Sequence, residues 1–272
     1  MRVGIVGATG YVGAEVIRWL SGHDLELVPI SMSRVGERFS DVHPGLLGVA
    51  DQKIQAISVA NQLDVVVLAT PHGAAAGLIP ELGSVPLLVD CSSDHRHADG
   101  WVYGMAEWHA DAIRKASRIA VPGCFATAIS LALAPLARAG LLTDAVQIAA
   151  ATGSTGSGAT ASGATHHPAR FANFKAYKVL NHQHTPEVEV FLRGLGGCGK
   201  LNFVPHSLPL DRGIFATCFA RIDAEVNVDA LFAEAYADAD HVRLREGSPE
   251  LRWVRGTGFC DLAIHRDGDQ TV

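Results

Sequence analysis

Nowhere in the 272 residues does an apolar run approach the roughly 18 residues that a membrane-crossing helix needs. The chain opens directly on the apolar Val3-Gly4-Ile5-Val6, with no charged lead and no cleavable apolar segment. Neither a membrane span nor a secretion signal is therefore expected. Basic residues are in the minority, 22 Lys and Arg against 28 Asp and Glu, for a formal net charge of -6. With no basic run either, a nucleic-acid surface is excluded. Cysteine is scarce: five residues, at positions 91, 124, 198, 218 and 260, with no C-x-x-C pair. That spacing indicates neither a structural zinc site nor a disulfide framework, and a reducing, cytoplasmic setting is the expectation. Internal repeats are missing too, and only a Gly/Ser/Thr loop resembles low complexity.

What is present is an ordinary globular balance, 48% hydrophobic, with enough chain for two domains. Val3 to Val6 reads as a short strand running into Gly7-Ala8-Thr9-Gly10-Tyr11-Val12-Gly13, and Ala14 to Leu20 as an amphipathic helix. Glycines spaced G-x-x-G-x-x-G between a strand and a helix allow a tight turn and let a pyrophosphate approach the helix N-terminus. A glycine turn serving only helix–strand packing has the same pattern, but its place between a clean strand and a clean helix favours a dinucleotide. The next strand, Leu25 to Met32, ends in Ser33-Arg34, where an NAD site usually carries an acid. A hydroxyl and a guanidinium suit a 2′-phosphate instead, which favours NADP over NAD.

Further buried-type strands are expected at 64–69, 86–90 and 119–121, a pattern of parallel sheet covered on both faces. Segments leaving the strand ends (Thr70–Gly73, Cys91–Arg96, Pro122–Cys124) are rich in Gly, Ser, Thr, His or Cys. Ligands bind at such ends. Cys124 follows Val121-Pro122-Gly123 and opens a helix-like segment reaching Ala139. Unpaired backbone N–H groups and the positive end of the helix dipole favour a thiolate there, and the thiolate is the nucleophile. The competing reading is a small buried hydrophobe.

After Cys124 the character changes. A strand at 145–151 leads into Thr152-Gly153-Ser154-Thr155-Gly156-Ser157-Gly158, a small-residue loop reaching His166-His167-Pro168. Loops this long inside compact domains are usually functional or disordered. In Asn181-His182-Gln183-His184-Thr185-Pro186-Glu187, Thr185 is expected to cap a helix with Pro186 at its first position. That context also accounts for His182 and His184 without a metal. Strands at 200–204 and 214–222, a helix at 228–239, and short strands near 242–244 and 259–264 point to a mixed or antiparallel sheet. The expected architecture is α/β: a Rossmann-type dinucleotide domain at 1–124 and a second α+β domain at 125–272.

Five segments, in order, resemble the N-acetyl-gamma-glutamyl-phosphate reductase family: GATGYVG at 7–13, HPGL at 43–46, VPGCFATA at 121–128, NHQHTPEVE at 181–189 and PHSLPLDRG at 205–213. The loop TGSTGSG at 152–158 fits as well, while THHPAR at 165–170 is similar to a lysine-pathway branch acting on a carrier-bound aminoadipyl phosphate. The resemblance implies an NADPH-dependent acyl-phosphate reductase of arginine biosynthesis, with Cys124 as nucleophile and His206 as general acid/base. It implies Ser154, His184 and Arg212 in the substrate pocket, with Thr155 beside them in the loop. For NADP it implies Thr9, Gly10, Val12, Ser33 and Arg34, added to Gly7, Tyr11 and Gly13 of the glycine turn. Phe125-Ala126 stands where the family usually has Tyr-Pro, and the family continues past Val272 through a further strand and helix. The resemblance also implies a dimer or tetramer. Aspartate-semialdehyde dehydrogenase is a neighbouring alternative, but its cysteine usually lies in Asn-Cys-Thr. A non-catalytic NADP-binding regulator would keep the glycine turn without needing Cys124 and His206.

Overall fold

The computed structural model describes all 272 residues, which form two compact units, Met1–Gly123 and Cys124–Val272. In the first unit the Val, Leu and Ile runs form β1 (Arg2–Val6), β2 (Glu26–Ile30), β3 (Val65–Leu68), β4 (Leu87–Asp90), β5 (Val102–Tyr103) and β6 (Arg118–Ala120). The sheet order is β2-β1-β3-β4-β6-β5 and every pairing is parallel. Val28, Val66 and Leu88 fill a core on one side of this sheet, while Val3, Ile5, Ile17 and Phe39 fill one on the other. Two covered faces explain why the strands read as continuous apolar runs rather than alternating ones. The order reverses at β1, between β2 and β3, and open α/β sheets bind ligands at such a switch point. Helix α1 (Tyr11–Leu20) leaves β1 there, and α2 (Ala106–Lys115) lies later in the unit.

The second unit begins with α3 (Cys124–Arg138), rich in Ala and Leu though with Pro135 inside it, whose Phe125, Ile129, Leu133 and Leu136 are buried. It continues through β7 (Val146–Thr152), β8 (Lys175–Ala176), α4 (His184–Leu195), β9 (Leu201–Ser207), β10 (Ile214–Arg221) and α5 (Val228–Ala235). The last strands are β11 (Val242–Leu244), β12 (Cys260–Leu262), β13 (Arg266–Asp267) and β14 (Gln270–Thr271). Its main sheet, β13-β14-β10-β7-β9-β8, is mixed: β7 runs parallel to β9 and antiparallel to β10. Along β7, Val146, Ile148 and Ala150 are buried whereas Gln147 and Ala149 are exposed, the period-2 pattern of a sheet with one covered face.

Three local expectations need correction. The strands near 242–244 and 259–264 do not join the mixed sheet but pair in parallel as a separate two-stranded sheet. The 15 residues between them carry a helical turn at Leu251–Val254, long enough for the crossover that parallel pairing requires. The helix expected to reach Ala239 ends at Ala235, because Tyr236 leaves it and donates its hydroxyl to the carbonyl of Leu131. Thr185 does not cap α4. It lies inside the first turn with its Oγ1 buried and unpartnered, and the imidazole of His182 takes over, Nδ1 accepting the His184 N–H at 3.1 Å.

Candidate active site

Each unit carries part of the chemistry, and the glycine turn belongs to the first. Gly7 has φ +85°, and a Cβ there would lie 2.4 Å from the carbonyl oxygen of Ala69. A Cβ on Gly13 would lie 2.5 Å from the oxygen of Gly7, so both positions exclude any side chain. Around Gly10 a Cβ would meet only the Gly7 oxygen, at 3.4 Å, which leaves that side open. Gly10 contributes no side-chain cap to α1, and its first turn carries no acid. Thr9, Tyr11 and Val12 complete a turn whose helix N–H groups and dipole suit a pyrophosphate. The turn is anchored by Gly7 and Ala8 N–H bonds to Ile30 O, at the end of β2. Ser33 and Arg34 follow that strand, Ser33 N–H on Ser31 Oγ and Arg34 in an exposed, 3.6 Å pair with Glu37. So loose a surface pair costs little to exchange for a phosphate. Glycines, bare helix start and guanidinium fit a dinucleotide.

The strand end that leads toward Cys124 is held from β4. Asp90 is fully buried, and its carboxylate accepts from Ser92 N, Ser92 Oγ and His95 Nδ1 at 2.8, 2.9 and 2.6 Å. The His95 ring stacks on Trp101 at 4.1 Å. Val121 is gripped on both sides of its residue: its N–H donates to Asp90 O at 2.7 Å, and its carbonyl accepts from Arg96 Nε at 3.0 Å. Sequence reading grouped Cys91–Arg96 with the strand ends but singled out neither Asp90 nor Arg96. An acid ending an apolar strand was the available signal.

In the second unit Cys124 is exposed, in no disulfide, and the first residue of the 15-residue α3. That placement puts its sulfur at the positive end of the helix dipole. Phe125 behind it is buried in an aromatic cluster, with His182, His184 and Phe203 at centroid distances of 5.4, 6.1 and 5.2 Å. His182 is held well below the usual imidazole range, at about 4, first by burial and then by the neighbouring His184 and Lys178. A neutral His182 is what its acceptor role on α4 requires. His184 is buried at the start of α4, T-shaped to His182 at 4.7 Å.

Tyr177, which stands in no motif, feels the charge of the Cys124 sulfur. Its pKa is raised to about 12, first by burial and then by the charge on Cys124, with Arg170 opposing. The phenol therefore stays protonated and can act as a donor. His206 lies on β9 opposite Ala151 of β7 and Ala176 of β8, with its ring stacked on Phe174 at 5.0 Å and 9°. Ser154 and Thr155 are zipped to the segment that follows. Ser154 N donates to Leu210 O, and both the N–H and hydroxyl of Thr155 donate to Asp211 O, each at 2.9 Å. A Cβ on Gly153 would lie 2.5 Å from the Asp211 oxygen, so only glycine permits this approach. The structure thereby brings Ser154, Thr155 and the exposed Arg212 into one paired loop, with the Thr155 hydroxyl already engaged on backbone.

A glycine turn that fits a dinucleotide in one unit and a thiol at a helix start in the other are features of a nicotinamide-dependent oxidoreductase. The chain belongs to the semialdehyde dehydrogenase family: residues 2–116 match its NAD binding domain and residues 124–272 its dimerisation domain. It is 38% identical to the N-acetyl-gamma-glutamyl-phosphate reductase of Bacillus subtilis (strain 168), over 98% of this chain and 87% of that protein. Its fold is that of aspartate semialdehyde dehydrogenase II from Vibrio cholerae (TM-score 0.77, 16% identity, 98% and 88% of the two chains covered). The aspartate semialdehyde dehydrogenase with NADP from Candida albicans is similar too (TM-score 0.71, 16% identity, 99% and 91% covered). No helix is long and apolar enough to cross a membrane.

Proposed function

We propose that this chain reduces N-acetyl-gamma-glutamyl phosphate to N-acetylglutamate 5-semialdehyde, releasing phosphate, through a thioester on Cys124. The observation that carries the reading is an exposed cysteine opening a 15-residue helix, in a chain 38% identical to a reductase of that name. A carboxylate resists reduction, and its acyl phosphate is activated. The Cys124 thiolate attacks the acyl carbon, the C–S bond forms and the C–O bond to phosphate breaks. NADPH, when bound at Gly7, Thr9, Gly10, Tyr11, Val12, Gly13, Ser33 and Arg34, supplies a hydride to the acyl carbon. His206 manages the proton as the thiohemiacetal collapses to aldehyde and frees the thiolate, a task matched to imidazole near neutral pH. Arg212, Ser154 and His184 hold the substrate's anionic and polar groups. NADP rather than NAD follows from Ser33 and Arg34, and the Candida albicans protein named with NADP is in keeping with it. The working form is a cytoplasmic homo-oligomer, in keeping with the dimerisation-domain match.

A second reading, reduction of a carrier-bound aminoadipyl or glutamyl phosphate, is favoured by one feature. Residues 145–186 contain no acid, and they expose Phe171 and Phe174 beside Lys175 and Lys178. Phosphate-dependent NADP reduction with N-acetylglutamate semialdehyde, run beside aspartate semialdehyde and a carrier-bound substrate, separates these. Turnover of the first alone is expected. NADPH binding without turnover of any would favour a non-catalytic regulator.

A further inference from the structure

We propose that Arg170 and Phe174 are positioning residues for His206, forming a strap that fixes the imidazole on the strand β9. The proposal rests on the acid/base role given to His206 above.

The strap grips the His206 segment at three separate points. Arg170 spans the two residues after it: Nη1 donates to Ser207 Oγ at 2.5 Å and Nη2 to Leu208 O at 2.6 Å. Phe174 lies flat on the imidazole, 5.0 Å between centroids and 9° between planes. Lys175 and Ala176 then pair antiparallel with Ser207 and His206, and Tyr177 N–H donates to Pro205 O at 3.0 Å. Arginine, ring and strand thus all converge on residues 205–208.

The strap holds the imidazole with groups that leave both ring nitrogens free of the phenyl. Phe174 is 60% exposed, so burial of its ring contributes little to stability and its removal should leave the fold intact. Its covered face is the one against His206. The segment also bends through positive φ at Ala172 (53°) and Lys178 (44°), conformations that non-glycine residues adopt at a cost. Those two bends flank Phe174 and the pairing with β9. An imidazole that must present one nitrogen to a reacting oxygen gains from having its ring plane fixed. A stacked phenyl restricts that plane without occupying either nitrogen.

The test compares Phe174→Leu, Phe174→Tyr and Arg170→Gln with His206→Asn in the full chain, measuring kcat, the KM for NADPH and the melting temperature. Phe174→Leu and Arg170→Gln are expected to lower kcat about tenfold, with the KM for NADPH within about twofold and melting little changed. Phe174→Tyr, which keeps a ring over the imidazole, should retain at least about half of kcat. Wild-type kcat in Phe174→Leu overturns the proposal, and so does a tyrosine variant as impaired as the leucine one. His206→Asn reads the underlying role separately: full turnover there removes the acid/base assignment itself. The stack can also be read without turnover, from the NMR signal of the His206 ring Cε1–H. Loss of the phenyl should move that signal downfield, and an unmoved signal means the stack is not populated in solution.

Discussion

Cys124 and His182 show how local environment favours the charged form of one group and the neutral form of its neighbour. The sulfur lies at an exposed helix start, where the positive end of the helix dipole favours the anion. The imidazole of His182 is buried against Phe125 and Phe203 and is kept neutral, at about 4. Cys124→Ser should cut acyl-phosphate turnover by at least about 1,000-fold, because a hydroxyl at the same helix start is far less ionised than a thiol. NADPH affinity, measured by fluorescence titration, should stay within about twofold. Of this residue-scale picture, Cys124, His206 and the glycines could be named as candidates from sequence because each sits in a short motif whose meaning is local. Tyr177, Arg170 and Arg96 were not legible, since their contacts arise only when segments 20 or more residues apart meet. Thr185 was misread for a local reason: a buried His182 nitrogen takes the helix N-terminal N–H in place of its hydroxyl, and no cap rule counts a histidine.

Among elements, α3 joins chemistry to core. Phe125 is buried one residue after the sulfur and touches two histidines and Phe203. Phe125→Ala should cost about 3–5 kcal/mol in urea unfolding. It should also raise the mobility of the first turn of α3, seen as faster amide exchange at residues 126–129. The pairing of the 153–155 loop with 210–213 makes a sharper claim. Gly153→Ala would push a methyl into the backbone of Asp211 and Arg212, atoms that have nowhere to retreat. It is expected to raise the substrate KM or lower kcat more than tenfold, while NADPH binding, which belongs to the other unit, is unchanged. The parallel strands were readable because both faces of their sheet are covered, which makes apolar runs continuous. Two-residue β8 was not: Lys175 and Ala176 are exposed, and only the register with β9 makes them a strand. The same holds for the β11–β12 pair, whose parallel sense depends on a crossover that spacing alone does not reveal.

At the scale of the whole chain, the neutral His182 links stability to pH. Unfolded, this histidine takes up a proton near 6.5, whereas folded it resists until about 4. The unfolded state therefore binds more protons in that window, and stability falls as pH drops from about 6.5 to 4. Above about 6.5 the histidine is neutral in both states and contributes no slope. Thermal melts of the wild type should lose stability across that range, and His182→Gln should show a shallower decline; parallel curves would remove His182 as the cause. The division into a dinucleotide unit and a mixed-sheet unit was foreseeable from the change in strand pattern after Cys124.

The claim on which the rest depends is a covalent acyl group on one sulfur. It is tested by mixing the protein with N-acetyl-gamma-glutamyl phosphate in the absence of NADPH and quenching in acid. Released phosphate is then counted and the cysteine peptides are weighed by mass spectrometry. The account predicts a burst of about one phosphate per chain and an N-acetylglutamyl mass on the peptide containing Cys124, both lost in Cys124→Ser. A burst with no adduct, or an adduct on Cys91, Cys198, Cys218 or Cys260 instead, would contradict it.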